Sequence, residues 1–159
     1  HNLPVIFMVQ NNKYAISVPL EKQVAGGNVY KRAEGYGFPG IRVDGNDPLK
    51  VYEVVKLAVE RARRGEGPTL IEAVSYRLVP HSSDDDDRSY RSREEVEEAR
   101  KNDSLLLFRN YLVDAGILTV EKERDLSERI AREVDEATEY AEAAPYPEPE
   151  DLYKHVYAE

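Results

Sequence analysis

The chain contains no cysteine, which removes disulfides, thiolate metal sites and cysteine nucleophiles and fits a reducing compartment. Long apolar runs are missing as well. The longest, Val5 to Val9, is far too short to cross a bilayer and lacks signal-peptide flanks. Positive charge is in deficit: 22 Lys and Arg stand against 31 Asp and Glu, for a formal charge of −9. Such a surface repels phosphate backbones and anionic lipid, so neither nucleic acid nor a membrane is expected as a partner. The chain has no G-x-S-x-G elbow, no G-x-G-x-x-G turn and no P-loop, and neither an internal repeat nor a Gly- or Ser-rich linker. What is present, 159 residues with 41% hydrophobic content, is enough for one real core in one intracellular domain.

His1-Asn2-Leu3-Pro4 leads straight into strand-like sequence, the pattern expected of a chain cut inside a fold. Val5 to Val9 is a β-favouring run closed by Gln10-Asn11-Asn12, as expected for a strand buried on both faces that ends in a polar turn. Ile41–Val43 and Thr69–Tyr76 are the next strand candidates. Between them Asp47 is placed to cap a helix with Pro48 in its first turn, and Val51, Val54, Val55, Ala58 and Ala62 form its apolar stripe, ended by Gly65 and Gly67. A shorter helix is expected from about Asn28 to Tyr36. Strands and helices alternating in this way imply an α/β fold with a parallel sheet and right-handed crossovers over residues 1–92. Residues 93–159 read as a helical tail packed on the same domain: Arg93 to Arg100, Ser104 to Ala115, then Thr119 to Ala143 with Leu126, Ile130, Val134, Ala137 and Ala141 in one stripe. Pro145, Pro147 and Pro149 stop the last helix, leaving a short terminus from Leu152 to Tyr157.

Between the third strand and the tail lies Leu78 to Ser92, which includes the four carboxylates Asp84 to Asp87. Four adjacent carboxylates cannot be desolvated together without cations, so the segment is expected as an exposed loop. Open parallel sheets bind ligands at the carboxyl ends of their strands, where both this loop and the Asn11-Asn12 turn fall. The turn offers amide and carbonyl oxygens suited to a hard ion such as Mg²⁺, although Asn-Asn after a strand is also an ordinary turn. His81 is suited to act as acid, base or anion ligand, but a loop histidine is more often simply solvated. The Asp run lacks the glycine and distal glutamate of a calcium loop and reads as solvated charge, with Arg77, Arg88 and Arg91 as pairing partners.

Asn11-Asn12-Lys13-Tyr14-Ala15-Ile16-Ser17-Val18-Pro19, Val43-Asp44-Gly45-Asn46-Asp47, Pro68-Thr69-Leu70-Ile71-Glu72-Ala73, Tyr76-Arg77 to His81-Ser82 and Tyr90-Arg91-Ser92 occur here in this order. In sequence and spacing they resemble the alpha subunits of thiamine-diphosphate-dependent 2-oxo acid dehydrogenases. The wording of the first motif is closer to the branched-chain type than to the pyruvate type.

That resemblance implies the carboxyl-terminal half of a thiamine-diphosphate-binding fold. The family motif opens with Gly-Asp-Gly and closes with Asn-Asn, and only the closing half is in this chain; the aspartate ligand would lie before His1. Asn12 through its side chain and Tyr14 through its carbonyl would ligate Mg²⁺, with Ile16 and His81 also at the cofactor. His81 matches the histidine proposed to assist acyl transfer to lipoamide. Ser82 matches the serine phosphorylated by a dedicated kinase in mitochondrial enzymes, and Arg77, Asp85, Tyr90 and Arg91 match residues that order the loop and dock the lipoyl-bearing partner. The implied reaction is oxidative decarboxylation of a 2-oxo acid, 2-oxoisovalerate favoured and pyruvate the alternative, with acyl transfer to lipoyllysine of the E2 acyltransferase. The implied partners are the missing amino-terminal half, an E1 beta subunit in an α₂β₂ heterotetramer, and the lipoyl domain of E2. The implied location is the cytoplasm, or the mitochondrial matrix in a eukaryote. A reading of another class is a non-catalytic fragment that serves as an assembly or binding module.

Overall fold

A computed structural model describes residues 1–154 together with 156 and 157. The first apolar run becomes strand β1 (Ile6–Asn11), followed by a minimal hairpin of β2 (Tyr14–Ala15) and β3 (Val18–Pro19), one helical turn α1 (Leu20–Gln23) and a short helix α2 (Arg32–Tyr36). Strand β4 (Gly40–Asp44), helix α3 (Pro48–Arg63) and strand β5 (Thr69–Val74) follow. A 3₁₀ turn at Asp87–Ser89 precedes helices α4 (Arg93–Arg100), α5 (Ser104–Asp114) and α6 (Val120–Ala143), and a second lies at Pro149–Tyr153. The fold is α/β with a helical tail, as expected.

The chain forms two compact units, His1–Leu112 and Val113–Glu159. In the first, a three-stranded parallel sheet has the order β1-β5-β4. The central strand β5 is buried along nearly its whole length, as befits a strand paired on both edges. Its residues alternate between the two faces. Ile71 and Ala73 join Val43 and Ala58 in the core, with Ile6, Val51, Val54 and Val55 packed around them. This is the stripe anticipated for α3, whose start is fixed as expected: Asp47 Oδ1 accepts from Leu49 N and Lys50 N, both at 3.1 Å, with Pro48 in the first turn. Gly40 is obligatory where β4 passes the Tyr30 carbonyl, because a Cβ there would collide with it.

Two features depart from the sequence reading. Strand β1 is an edge strand, not one buried on both faces: Phe7 is 48% and Met8 47% exposed. Its apolar composition reports what it could bury and not what lies beside it in residues 1–159. Phe7 stacks on Phe38, and Phe38 on Tyr36, each pair 5.9 Å apart between centroids. The β2–β3 hairpin was not foreseen, because its turn lacks the usual Gly or Asn. Ile16 takes φ +54° there, a left-handed conformation that is strained for a β-branched residue.

In the second unit α6 starts at the Thr119 cap, whose Oγ1 accepts from Lys122 N at 3.3 Å. Its apolar residues Leu126, Ile130 and Val134 are exposed. Among the described residues no helix is long and apolar enough to cross a membrane.

Candidate functional site

The site is built where β1 and β5 end. Asn11 and Asn12 each fold an amide oxygen back onto the chain: Asn11 Oδ1 accepts from Lys13 N and Asn12 Oδ1 from Tyr14 N, both at 3.1 Å. These paired Asx turns hold Lys13 at φ +75°. Beneath them Glu72, fully buried in β5, accepts from Asn11 Nδ2 and, through its other oxygen, from Tyr30 N at 2.9 Å. Ladder-like bonds run on past the strands, from Ser75 N to Asn11 O at 2.9 Å and from Arg77 N to Asn12 O at 3.3 Å. The turn is thereby tied to the chain that leads into the loop.

Tyr14 pairs with Pro19, and the next bond of the hairpin runs from Leu20 N to Lys13 O at 2.9 Å. Tyr14 and Pro19 therefore form a pair whose own peptide groups face away from each other, consistent with the missing N–H of proline. The Tyr14 carbonyl is directed off the hairpin. An amide oxygen with one of its two lone pairs in use and an outward carbonyl are hard donors of the type Mg²⁺ takes. They supply only a share of an octahedral shell, and both are neutral. Among the described residues no group of three or more His, Cys, Asp or Glu side chains is placed to complete one. The turn thus offers two neutral hard oxygens to a divalent cation and not a complete shell.

The loop is ordered by arginines and tyrosines. Arg77 Nη2 donates to Ile16 O at 2.6 Å and to Tyr90 Oη at 2.9 Å, and Tyr90 Oη donates to Asp85 Oδ2 at 2.5 Å. The same Asp85 oxygen accepts from His81 N at 2.8 Å. These two bonds, that from Tyr90 first, hold the Asp85 carboxyl below the usual aspartate range. Arg91 is buried, its side chain only 1% exposed, and it grips Asp87 Oδ2 with Nε at 2.9 Å and Nη2 at 2.5 Å while Nη1 donates to the Arg77 carbonyl. The loop is therefore exposed only in part: Asp85 and Asp87 are half-buried under these bonds, while Asp84 and Asp86 stay exposed. Arg88 pairs with Asp86 at 2.6 Å on the outside.

Tyr14 lies at the junction. The guanidinium carbons of Arg77 and Arg91 stand 5.8 and 5.7 Å from its ring centroid, and the rings of Tyr76 and Tyr90 are 6.0 and 5.7 Å away. Its hydroxyl donates to Glu95 Oε1 at 2.7 Å, and Tyr76 Oη reaches the same oxygen at 2.8 Å. Burial first, then the Glu95 carboxylate, raises the Tyr14 phenol far above its ordinary value, and the same two causes raise Tyr76. Both hydroxyls remain protonated donors. A cleft of about 470 Å³ opens beside the cluster, lined by Lys13, Tyr14, Pro19, Leu20, Tyr76 and Glu95 among others.

Of the residues singled out in the sequence, Tyr14, Ile16, Arg77, Asp85, Tyr90 and Arg91 are drawn into one bonded cluster. Asn12 adjoins it through Tyr14 N. His81 and Ser82 are exposed; His81 is tied through its backbone N–H, and Ser82 lends its carbonyl to Asp85 N at 3.2 Å. Four participants were not foreseen as site residues: Glu72, Tyr76, Asp87 and Glu95. Glu72 could have been flagged as the one charge inside an apolar strand. Glu95 stands three residues after Ser92, the spacing of a capping box.

A family model described as "Dehydrogenase E1 component" matches residues 1–150. The chain belongs to this family. This E1 component chain is 63% identical over 158 residues to the 2-oxoisovalerate dehydrogenase subunit alpha of Bacillus subtilis, covering 99% of this chain and 48% of that protein. It is 44% identical over 156 residues to the 3-methyl-2-oxobutanoate dehydrogenase subunit alpha of Mycobacterium tuberculosis, covering 98% of this chain and 42% of the relative. Against the pyruvate dehydrogenase E1 component subunit alpha of Bacillus subtilis the identity is 42% over 158 residues, covering 99% and 43%. The E1 component chain thus spans about half the length of the curated relatives it matches.

Proposed function

We propose that this chain is the carboxyl-terminal part of the alpha subunit of a thiamine-diphosphate- and Mg²⁺-dependent 2-oxo acid dehydrogenase. In this reading it works with a beta subunit in an α₂β₂ assembly in the cytoplasm and passes an acyl group to lipoyllysine of the E2 acyltransferase. One observation carries the reading: Tyr14, Arg77, Asp85, Tyr90 and Arg91 bind the Asn11–Tyr14 turn and the His81 loop into a single unit at the carboxyl edge of the sheet. A metal-binding turn and a loop that receives a partner need that adjacency.

Asn12 Oδ1 and the Tyr14 carbonyl are the proposed Mg²⁺ ligands, and Ile16 would contact the cofactor. Thiamine diphosphate, when bound, supplies the electron sink that allows the carboxyl group to leave as CO₂. Asn12 and Tyr14 would hold the metal that neutralises the diphosphate, and His81 would serve the acyl group and the incoming lipoyl arm. Arg77, Asp85, Tyr90 and Arg91 keep the loop in its receiving shape. Phosphate on Ser82 would set a dianion beside Asp84 and Asp85 and loosen that shape by like-charge repulsion.

The greater identity to the 2-oxoisovalerate enzyme than to the pyruvate enzyme of one and the same organism supports the branched-chain substrate. Steady-state rates of the reconstituted tetramer with the two acids test this, 2-oxoisovalerate being expected to have the higher kcat/KM; the reverse order would reassign the substrate. His81→Ala should lower turnover with lipoylated E2 by more than about tenfold, the scale of one positioned acid or base. Unchanged turnover would leave His81 a solvated loop residue.

A further inference from the structure

Helix α4 begins with Ser92-Arg93-Glu94-Glu95, in which Ser92 Oγ accepts from Glu95 N at 3.0 Å. A capping box would return the Glu95 carboxylate to the N–H of the cap residue. Here that carboxylate turns away from its own helix and takes up two phenols from two other segments, Tyr14 of the hairpin and Tyr76 beyond β5, both on Oε1. Both hydroxyls donate to one charged oxygen, and charge-assisted bonds are the stronger kind. Tyr14 is also the residue whose N–H orients the Asn12 amide, at 3.1 Å. A displacement of the Tyr14 side chain therefore moves an amide oxygen and a carbonyl together.

We propose that Glu95 is a positioning residue for the Asn11–Tyr14 turn: by holding the Tyr14 and Tyr76 hydroxyls it fixes the Tyr14 backbone, and with it the pair of oxygens offered to a divalent cation. The proposal rests on the reading of Asn12 and Tyr14 as Mg²⁺ ligands. In this role Glu95 acts through Tyr14 and not as a ligand itself. The guanidinium groups of Arg77 and Arg91 over the Tyr14 ring restrict its plane, and Glu95 restricts its reach.

The test uses the full-length subunit assembled with its companion chains and saturated with thiamine diphosphate. Mg²⁺ affinity is measured by calorimetry for wild type, Glu95→Ala, Glu95→Gln, Tyr14→Phe, the Tyr14→Phe/Glu95→Ala double variant and Asn12→Ala, alongside metal-free melting temperatures. Glu95→Ala and Tyr14→Phe should each weaken Mg²⁺ binding about three- to tenfold, the scale of one hydrogen bond. The double variant should be no weaker than Glu95→Ala alone, because the Tyr14–Glu95 contact is already gone in that single variant. Glu95→Gln keeps an acceptor oxygen and should recover most of the affinity, with the metal-free proteins melting together. Unchanged affinity in Glu95→Ala while Asn12→Ala is weakened overturns the proposal and leaves the metal turn standing. Losses that multiply in the double variant, or a lowered metal-free melting temperature that Glu95→Gln does not restore, also overturn it. Unchanged affinity in Asn12→Ala removes the ligand reading itself, and Glu95's role with it.

Discussion

Glu72 has no exposed surface, and its two carboxylate oxygens are divided between the Asn11 amide and the Tyr30 N–H. Burial of a carboxylate is tolerated only when hydrogen bonds replace its water. The arrangement joins the end of β1 to the segment before α2 across the sheet face opposite α3. Glu72→Ala strands both donors and leaves a cavity, so a loss of about 2–4 kcal/mol is expected in urea unfolding of the full subunit. A loss below about 1 kcal/mol would show that water satisfies the two donors as well as the carboxylate does. The sequence displays Glu72 plainly as a charge in the run Thr-Leu-Ile-Glu-Ala-Val. Its partners lie 61 and 42 residues away in the chain, and no periodicity reaches that far. Ile16 shows the opposite difficulty: its left-handed backbone is set by the Arg77 bond to its carbonyl and by the hairpin, and an isoleucine announces neither.

At the scale of elements the loop behaves as a unit held by its own charges. Runs of like charge normally signal solvation, and Asp84 and Asp86 follow that rule. Asp85 and Asp87 do not, because Tyr90 and Arg91 fall where they can turn back on them. The pairing of Arg88 and Arg91 with the acidic run was legible from composition, whereas Arg77, expected to join them, donates to the Ile16 carbonyl and the Tyr90 hydroxyl instead; the burial of Arg91 was not legible, since it depends on Tyr14 and Tyr76 arriving from elsewhere. Asp85 gives the loop a pH dependence of definite sign. Its folded pKa lies below its unfolded one. The stabilisation is therefore fully present above the ordinary aspartate value of about 3.9 and is lost as pH falls through the lower, folded value. Amide-exchange protection of the loop, corrected for intrinsic rates, should be flat from neutral pH to about 5 and fall only below about 4. Asp85→Asn should remove that acid step. A loss of protection already well above a pH of about 5 would count against Asp85 as the holding group.

At the scale of the whole molecule the alternation of strands and helices was enough to read the α/β class, and α3 could be placed almost to the residue because Asp47, Pro48 and the valine stripe agree. What surrounds β1 was not readable, since an apolar strand looks the same whether its neighbours belong to the same segment or to another. Phe7 and Met8 are half exposed, and among the described residues nothing pairs with the outer edge of β1. An open apolar edge is a liability that proteins cover or blunt, and β1 has neither a charge nor a proline to blunt it. The curated relatives are about twice as long as this chain, so on the proposed reading the further part of such an alpha subunit is the expected cover. If Phe7 were as open in the complete protein as it is beside β5, Phe7→Ala would cost no more than about 1.5 kcal/mol, the lower end of what a fully buried side chain contributes. If the remainder of the subunit lies over it, the same change should cost about 3–5 kcal/mol, as for a phenylalanine removed from a core. Chemical unfolding of the full-length subunit separates the two cases. The larger figure is expected there, and the smaller one would mean that β1 remains an edge in the complete subunit.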